Sequence, residues 1–392
     1  MPTQKISILG SGITAASVTK YAQKNNISIV PPDQADLVIA SPGLPPHTFP
    51  KVTAPIISEI EWAYRLFQES HSPPTLIAIT GTNGKSTATA MIAHICDCPY
   101  AGNIGIPLID YVGLEHEFPI IAVEVSSYQL ETCTSFRPNI SVFLNITPDH
   151  LSRHGSLENY LAEKTKCCSN QQPSDYVVYY AQDRLVETCI QECLAETVPF
   201  DNTDINRYLI NTSSFLGTHN KLNAVAALKV AECLGLSIPS CANHLKHFKP
   251  LKHRLELVGD QNNIKIYNDS KSTNPESTIK ALEAFLEPTL LICCGENKNL
   301  SLNDLANSIV KHSKSLIIFG DISLPLIHAI TNIDPVFDIQ HVLTIQEAVS
   351  AAITLATPGD IILFSPSSSS LDQFKNFEER GNIFCETVNT HV

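Results

Sequence analysis

Thr80-Gly81-Thr82-Asn83-Gly84-Lys85-Ser86-Thr87 decides how the rest of this sequence is read. An apolar run, Leu76-Ile77-Ala78-Ile79, precedes it, and residues 88–96 follow with helical spacing. The order is strand, glycine-rich turn, helix. In that order successive backbone N–H groups cradle phosphate oxygens, and the helix N-terminus adds a favourable dipole. Lys85 is placed to reach terminal phosphates, and the Ser86 hydroxyl to hold Mg²⁺. The general phosphate-loop spacing asks for a further glycine where Ile79 stands. The alternative is a glycine turn opening an ordinary helix, but the strand–loop–helix setting is the one that the motif requires.

At 392 residues the chain is too long for one compact domain, and two or three are expected. Its hydrophobic content of 43% and charged content of 17% are those of a folded globular protein. No apolar run approaches the ~20 residues of a membrane span. The first strand, Lys5-Ile6-Ser7-Ile8-Leu9, has no basic, apolar leader before it. The 12 cysteines include no Cys-x-x-Cys pair, so they read as unused thiols in a reducing, cytoplasmic compartment. A net charge of −13 argues against a general nucleic-acid binder. A polyphosphate site needs only a local positive pocket.

Ahead of the loop, the first strand runs into Gly10-Ser11-Gly12-Ile13-Thr14-Ala15 and a helix to about residue 25. This is Gly-x-Gly-x-x-Ala, a dinucleotide fingerprint. Such a site also asks for an acidic residue closing the second strand. That strand, 27–30, runs into Pro31-Pro32, and Asp33 lies beyond both, which disfavours a dehydrogenase. A nucleotide diphosphate at the same helix N-terminus still fits. A third strand, 36–40, follows after residues 31–35 alone, where a parallel crossover normally takes a dozen or more. Either the two strands are not parallel neighbours or residues are absent between them. The same shortage is met at 97–102, ahead of Gly102-Asn103-Ile104-Gly105.

A helix over 58–70 opens at Ser58, a natural N-cap. His71-Ser72-Pro73-Pro74 reads as a linker. Strands at 76–80, 120–125, 140–146 and 176–180 then alternate with helices, which implies a mainly parallel sheet covered on both faces. Helices at 221–234 and 242–248 lead to a second linker, Lys249-Pro250. Strands at 264–267, 289–293, 315–319 and 360–364 repeat the pattern, with ligand loops expected at strand C-termini. The expected fold is α/β in three domains, 1–73, 74–249 and 250–392. The first and last are Rossmann-like, and the central one is a phosphate-loop ATPase-type parallel sheet. Both linkers make hinge motion the default.

Several polar residues stand where chemistry is expected. Glu124 closes a hydrophobic strand in Ala122-Val123-Glu124-Val125-Ser126-Ser127. A carboxylate there is a hard ligand for Mg²⁺ beside the phosphate loop, or else a satisfied buried acid. His150 ends the run Leu144-Asn145-Ile146-Thr147-Pro148-Asp149-His150, as a metal-site residue or a structural one. Lys164 lies on a helical stretch, where a lysine is ordinarily a solvated cation. Asn220 and Asn223 either read a base edge or cap the helix that follows. Asn268-Asp269-Ser270-Lys271-Ser272-Thr273-Asn274 follows a strand, where a ligand loop belongs, although any surface loop is polar.

In their order along the chain these pieces resemble the Mur ligase family. They are Gly81 to Ser86, Glu124-x-Ser126-Ser127, the stretch ending at His150, Lys164, Gly217-x-His219-Asn220, His253-Arg254 and the 268–274 loop. The resemblance covers nearly the whole chain. Ser370-Leu371-Asp372-Gln373-Phe374-Lys375-Asn376-Phe377-Glu378-Glu379-Arg380-Gly381 is similar to the D-glutamate-adding members. Folylpolyglutamate synthetases share the ATP loop, but the 10–15 motif and the 371–381 stretch are not expected of them. A non-catalytic nucleotide-binding protein has no need of Lys85, Glu124, His150, Lys164 and Lys271 together.

The resemblance implies a cytoplasmic, ATP-dependent ligase of peptidoglycan precursor synthesis. It would add D-glutamate to UDP-N-acetylmuramoyl-L-alanine through an acyl phosphate, as a monomer with no nucleic-acid partner and no membrane insertion. ATP would lie on Gly81, Thr82, Asn83, Gly84, Lys85, Ser86 and Thr87, with Asn220, Asn223, Arg254 and Asp269. Of two Mg²⁺ ions, Ser86 and Glu124 would hold one, and His150 and carbamylated Lys164 the other. Lys85, His150, Lys164 and Lys271 would carry catalysis. The UDP-sugar would meet Ile13, Thr14, Ser41, Gly43 and Asn103. D-Glutamate would meet Thr273, Lys298, Ser370, Leu371 and Phe377. The short N-terminal domain departs from the family, whose second crossover helps to hold the uracil.

Overall fold

The computed structural model describes residues 5–208, 215–297 and 301–391. Their strands form three sheets. The first contains β1 (Lys5–Leu9), β2 (Ser28–Ile29), β3 (Leu37–Ala40) and β4 (Ile56–Ser58) in the order β2-β1-β3-β4, all parallel. The second contains β5 (Thr75–Thr80), β6 (Tyr100–Gly102), β7 (Ile120–Glu124), β8 (Ile140–Phe143), β9 (Tyr176–Tyr180) and β10 (Glu196–Phe200). Its order is β10-β9-β8-β5-β7-β6, again all parallel. The third contains β11 (Glu256–Gln261), β12 (Ile264–Asn268), β13 (Thr289–Cys294), β14 (Ser313–Phe319), β15 (Ile339–His341) and β16 (Ile361–Ser367). Its order is β11-β12-β16-β13-β14-β15, parallel except for the antiparallel β11–β12 pair.

The short connection at 31–35 has a simple geometry. β2 is a stub of 2 residues that pairs with Lys5 and Ile6, at the start of β1. β3 enters the sheet opposite Ile6, on the other side of β1. Strand exit and strand entry therefore lie at the same height, so no return along the sheet is needed. One 3-10 turn, Pro32–Gln34, makes the crossing. It is pinned at both ends, where Val30 N–H donates to Ile6 O at 2.9 Å and Asp36 N–H to Lys5 O at 2.9 Å. The first of the two sequence alternatives matches the sheet order, in which β2 and β3 are not neighbours. At 97–102 the helix Lys85–Cys96 is itself the crossover. Asp97 ends it in a left-handed conformation, and the chain passes directly into β6 beside β7.

The chain divides into two units, residues 1–212 with 221–248, and residues 213–220 with 249–392. Packing continues across the 71–74 stretch. One core runs from Ile6, Ile39, Trp62 and Phe67 beside the first sheet to Leu76, Ile121 and Phe136 beside the second. The helix Glu59–Gln68 joins them, with Ser58 as the expected N-cap. Its fully buried Glu61 carboxylate accepts backbone N–H bonds from Thr134, Ser135 and Phe136 of the second segment. In the other unit, alternate residues of the third sheet feed two apolar layers. Leu291, Ile318 and Leu363 face one, and Ile292, Ile317 and Phe364 the other.

Glu59, on the same helix, is also buried and accepts Ile109 N–H at 2.6 Å. Burial pushes its pKa up to about 7, and Asp110 adds to the rise against the pull of the Ile109 and Leu108 amides. A folded-state pKa above the unfolded value gives stability that is fully present below pH ~4.5 and is lost as pH rises through ~7. The contribution is at most about 3 kcal/mol. Glu59→Gln cannot ionise. The Tm advantage of wild type over this variant should therefore shrink steadily from pH 5 to pH 8. A difference that stays flat with pH would overturn the assignment.

Candidate active site

β5 is where strand order reverses: β7 and β6 lie on one side of it, and β8 to β10 on the other. Ligands of open α/β sheets bind at strand C-termini at such a point. Thr80 ends β5, and Gly81 to Gly84 turn into the helix Lys85–Cys96. Gly84, its N-cap, has φ 85°. A Cβ there would stand 2.6 Å from Asn223 Oδ1, so the loop needs this glycine and Asn223 lies against it. Asn145, at the exit of β8, holds the loop. Its carbonyl accepts Thr82 N–H at 2.7 Å, its Oδ1 accepts Asn83 N–H at 2.9 Å, and its amide donates to Asn83 O at 2.9 Å. Thr82 Oγ1 bonds Thr147 O and Tyr160 Oη, each at 3.1 Å. The N–H groups of a first helical turn have no partner within the helix, and here they belong to the turn that starts at Lys85. Ser86 and Thr87 in that turn are buried.

Two lysines converge on one carbonyl. Lys85 Nζ donates to Gly81 O at 2.9 Å and to Thr82 O at 2.7 Å. Lys164 Nζ, from the helix Leu157–Thr165, donates to Gly81 O at 2.8 Å. Lys164 is 1% exposed and lies 4.7 Å from the centroid of the Tyr160 ring. Burial holds its pKa well below the usual lysine value, and the Lys85 charge adds to the drop. It is neither solvated nor paired with Glu163, whose carboxylate binds Lys166 at 2.6 Å.

Glu124 ends β7 beside Ile79 of β5. It is 2% exposed; Oε1 accepts the Asn103 amide at 2.8 Å, and Oε2 is buried with no partner. An orphaned carboxylate oxygen next to a phosphate loop is costly unless something binds it. This donor set fits Mg²⁺, which is commonly bound by one or two carboxylates together with water and substrate phosphates. Among the described residues no group of three His, Cys, Asp or Glu could hold a metal alone. His150 has φ 55°, heads the turn Leu151–His154 and packs at a tilt against Tyr128, with ring centroids 4.9 Å apart. Between His150 and Lys164 run tilted ring contacts, Tyr128 to His154 and His154 to Tyr160, with Lys164 over the Tyr160 ring.

The first sheet presents a second loop of this kind. Gly10 has φ 116°, and a Cβ there would meet Ser41 Oγ at 2.4 Å. Ser41 Oγ is buried without a partner. Ile13 is exposed and Thr14 half-buried at the start of the helix Ile13–Lys24. A groove of about 580 Å³ opens there, lined by Gly10, Ser11, Ala15, Thr19, Lys20 and Ile29 among others. Gly43 O accepts a bond from Arg153 Nη1 at 3.3 Å. Asn103 is exposed, although its amide is turned to Glu124. Gly102 allows this approach, since a Cβ there would touch Glu124 O at 2.3 Å.

In the other unit the C-terminal ends of β12, β13 and β16 carry the predicted residues. Asp269 is 1% exposed, with Oδ1 taking Leu255 N–H and Oδ2 the Ser272 and Ser365 hydroxyls. Burial raises its pKa despite the nearby Arg254. The Nε of Arg254 is buried without a partner. Burial and the Arg254 charge lower the pKa of His219 to about 4, so it is neutral at pH 7. Asn220 donates to Leu216 O at 2.9 Å. Lys271 Nζ lies 5.3 Å from the Phe377 ring centroid. Thr273 is half-buried, Ser370 is buried and Leu371 is exposed. Leu371 N–H donates to Ser369 Oγ at 3.4 Å, and Phe377 O accepts the Ser270 hydroxyl at 2.9 Å. Lys298 lies outside the described residues.

Sequence reasoning did not single out Arg380, which organises this cluster. It is fully buried; Nε donates to Ser270 Oγ at 3.0 Å, Nη2 to Ser270 O at 2.8 Å and Nη1 to Ser368 O at 3.0 Å. One guanidinium thus ties the loop after β12 to the loop after β16. Asn145 likewise stood only within a longer run, and Tyr160 was not singled out.

Residues 79–204 match the Mur ligase middle domain, and residues 253–368 match the Mur ligase, glutamate ligase domain. The UDP-N-acetylmuramoylalanine–D-glutamate ligase of Pelotomaculum thermopropionicum is 34% identical over 448 residues, covering 98% of this chain and 97% of its own. That alignment is longer than the 392 residues here, so the relative carries segments that this chain lacks. The ligase of the same name from Desulfitobacterium hafniense is 36% identical over 393 residues, covering 91% of this chain and 84% of its own. A MurF ligase of Thermotoga maritima, solved in complex with ADP, has a TM-score of 0.64 at 14% identity and covers 99% of this chain and 95% of that one. At that identity the likeness concerns the fold. With two matching domains and relatives this similar over almost its whole length, the chain belongs to the Mur ligase family, whose members are ATP-dependent, peptide-bond-forming ligases.

Proposed function

We propose that this chain adds D-glutamate to UDP-N-acetylmuramoyl-L-alanine, with ATP converted to ADP and phosphate, in the cytoplasmic synthesis of peptidoglycan precursors. The observation that carries this reading is the phosphate loop with the orphaned Glu124 oxygen beside it, in a chain whose full-length relatives bear that ligase's name. The substrate carboxylate would attack the γ-phosphate to give an acyl phosphate, and the D-glutamate amine would then displace phosphate. Phosphoryl transfer needs positioning and charge neutralisation more than covalent help.

Lys85 and the N–H groups opening its helix would hold the phosphates, with Asn223 against the loop. Ser86 and Glu124 would hold one Mg²⁺, and His150 with a carbamate on Lys164 a second. Bound Mg²⁺ would neutralise charge that develops on the phosphate oxygens. Residues 74–249 then serve ATP, residues 1–73 the UDP-sugar and residues 250–392 D-glutamate. Ser41 Oγ, Thr14 and the exposed start of the first helix are suited to a diphosphate, and Asn103 would orient Glu124 as well as meet the sugar. Asn220, Arg254 and Asp269 would serve the nucleotide, and Lys271 the phosphoryl group. D-Glutamate carries two carboxylates, so its pocket needs donors at both ends. Ser370, Thr273, Lys298 and the backbone of Leu371 and Phe377 would supply them.

The direct test is phosphate release from ATP that requires both the UDP-sugar-alanine and D-glutamate. Release that needs neither, or that accepts other acids equally, would sink the reading. Ser370→Ala should raise the KM for D-glutamate and leave the KM for ATP nearly unchanged. Loss of one donor to a charged carboxylate costs about 1.5–3 kcal/mol. If the ATP term moves as much, Ser370 is not an amino-acid contact.

A further inference from the structure

We propose that Arg153 is a positioning residue for the UDP-linked substrate, holding the 41–44 loop of the first sheet against the turn that carries His150. The proposal rests on the ligase reading for its substrate and on geometry for its placement. Arg153 follows His150 on the turn Leu151–His154, and its side chain is 10% exposed. Its guanidinium forms a fork on Glu131, with Nε to Oε1 at 2.9 Å and Nη2 to Oε2 at 2.6 Å. The remaining donors reach the other sheet's loop, with Nη2 to Leu44 O at 3.0 Å and Nη1 to Gly43 O at 3.3 Å. The guanidinium carbon stands 4.1 Å from the centroid of the Tyr128 ring.

The same loop contains Ser41, whose buried, unpartnered hydroxyl faces Gly10. Arg153 therefore fixes the backbone next to a polar atom that still lacks a partner. Tyr128 also packs at a tilt against His150 and His154, at 4.9 and 5.6 Å between ring centroids. Loop, guanidinium and His150 turn are thus seated on each other. A buried cation with this many directed bonds has a defined geometry, and only a planar fork can satisfy a carboxylate and two carbonyls together. Lysine has the charge without the fork.

Arg153→Lys and Arg153→Ala are the test, read in two ways. In steady-state kinetics both variants should raise the KM for the UDP-sugar-alanine roughly tenfold or more. The KM values for ATP and D-glutamate should stay within about twofold. In hydrogen–deuterium exchange of the protein without substrates, amides of the 41–46 segment should exchange faster, while those of 85–96 should not. If Arg153→Ala does not fold, Arg153→Lys and Glu131→Gln carry the same readings. An unchanged loop exchange, or KM values that all rise together, would overturn the proposal and leave Arg153 a general structural ion pair. A wild-type protein with no turnover on these substrates would sink the ligase reading, while the exchange measurement would still decide the placement.

Discussion

Lys164→Ala should lower ligation by a factor on the order of 10³ or more, and acetate should restore part of it. The side chain is buried under Tyr160 and reaches Gly81 O, the carbonyl that Lys85 also holds. Two ammonium groups on one carbonyl repel each other, and burial already disfavours the charged form of Lys164. A neutral amine is what reacts with CO₂. The carbamate so formed reverses the charge and supplies hard oxygen ligands on a long arm, which an ammonium cannot do. Glu163 is already engaged with Lys166, so no partner on its own helix turn holds Lys164 as a cation. Acetate in the vacated space should replace the carbamate in part. Rescue by an alkylamine and not by acetate would show that the positive charge mattered, and the carbamate would be ruled out.

Glu61→Ala should be the most damaging change to stability in its unit. The carboxylate is fully buried, accepts the backbone N–H groups of Thr134, Ser135 and Phe136, and takes Arg65 Nε at 2.8 Å. The Ser135 hydroxyl also donates to it. Truncation leaves several donors without an acceptor. The expected cost is about 3–5 kcal/mol, which corresponds to a Tm lower by roughly 10 °C. Arg65 is partly exposed, so Arg65→Ala should cost much less. Burial pushes the Glu61 pKa up, but the Ser135 and Arg65 hydrogen bonds outweigh it and hold the group below the usual glutamate value. Its contribution is therefore present above pH ~4.5 and lost as pH falls through the lowered folded value. A Tm drop of less than about 2 °C for Glu61→Ala would show that water or a backbone shift replaces the carboxylate.

Much of this architecture was legible in the sequence. The phosphate loop, the Ser58 cap and the long apolar strands stand out because each is a local pattern. β5 and β13 were read within a residue or so of their ends. The short strands β4, β6 and β15 were not, since 3 residues each carry no periodicity. β11 was missed because none of its residues is buried and it pairs antiparallel in an otherwise parallel sheet. Residues 71–74 look like a domain linker, and the contacts that span them join positions more than 70 residues apart, such as Glu61 and Phe136. Arg153 and Arg380 were hidden for the same reason. A helical arginine among polar neighbours reads as solvated, and only the fold brings it to Leu44 O or Ser270 O.

The short β2 has a consequence for how molecules of this protein meet one another. An edge strand offers a row of free N–H and C=O groups on which a strand of a second molecule can grow. In the first sheet one such edge is β2, only 2 residues long. After Val30, whose N–H is bonded to Ile6 O, come Pro31 and Pro32, and neither has an N–H to offer. Ile29 is 43% exposed on this edge and would otherwise favour such growth. The abbreviated crossover thus leaves a blunt edge, too short and too poor in donors to template edge-to-edge aggregation.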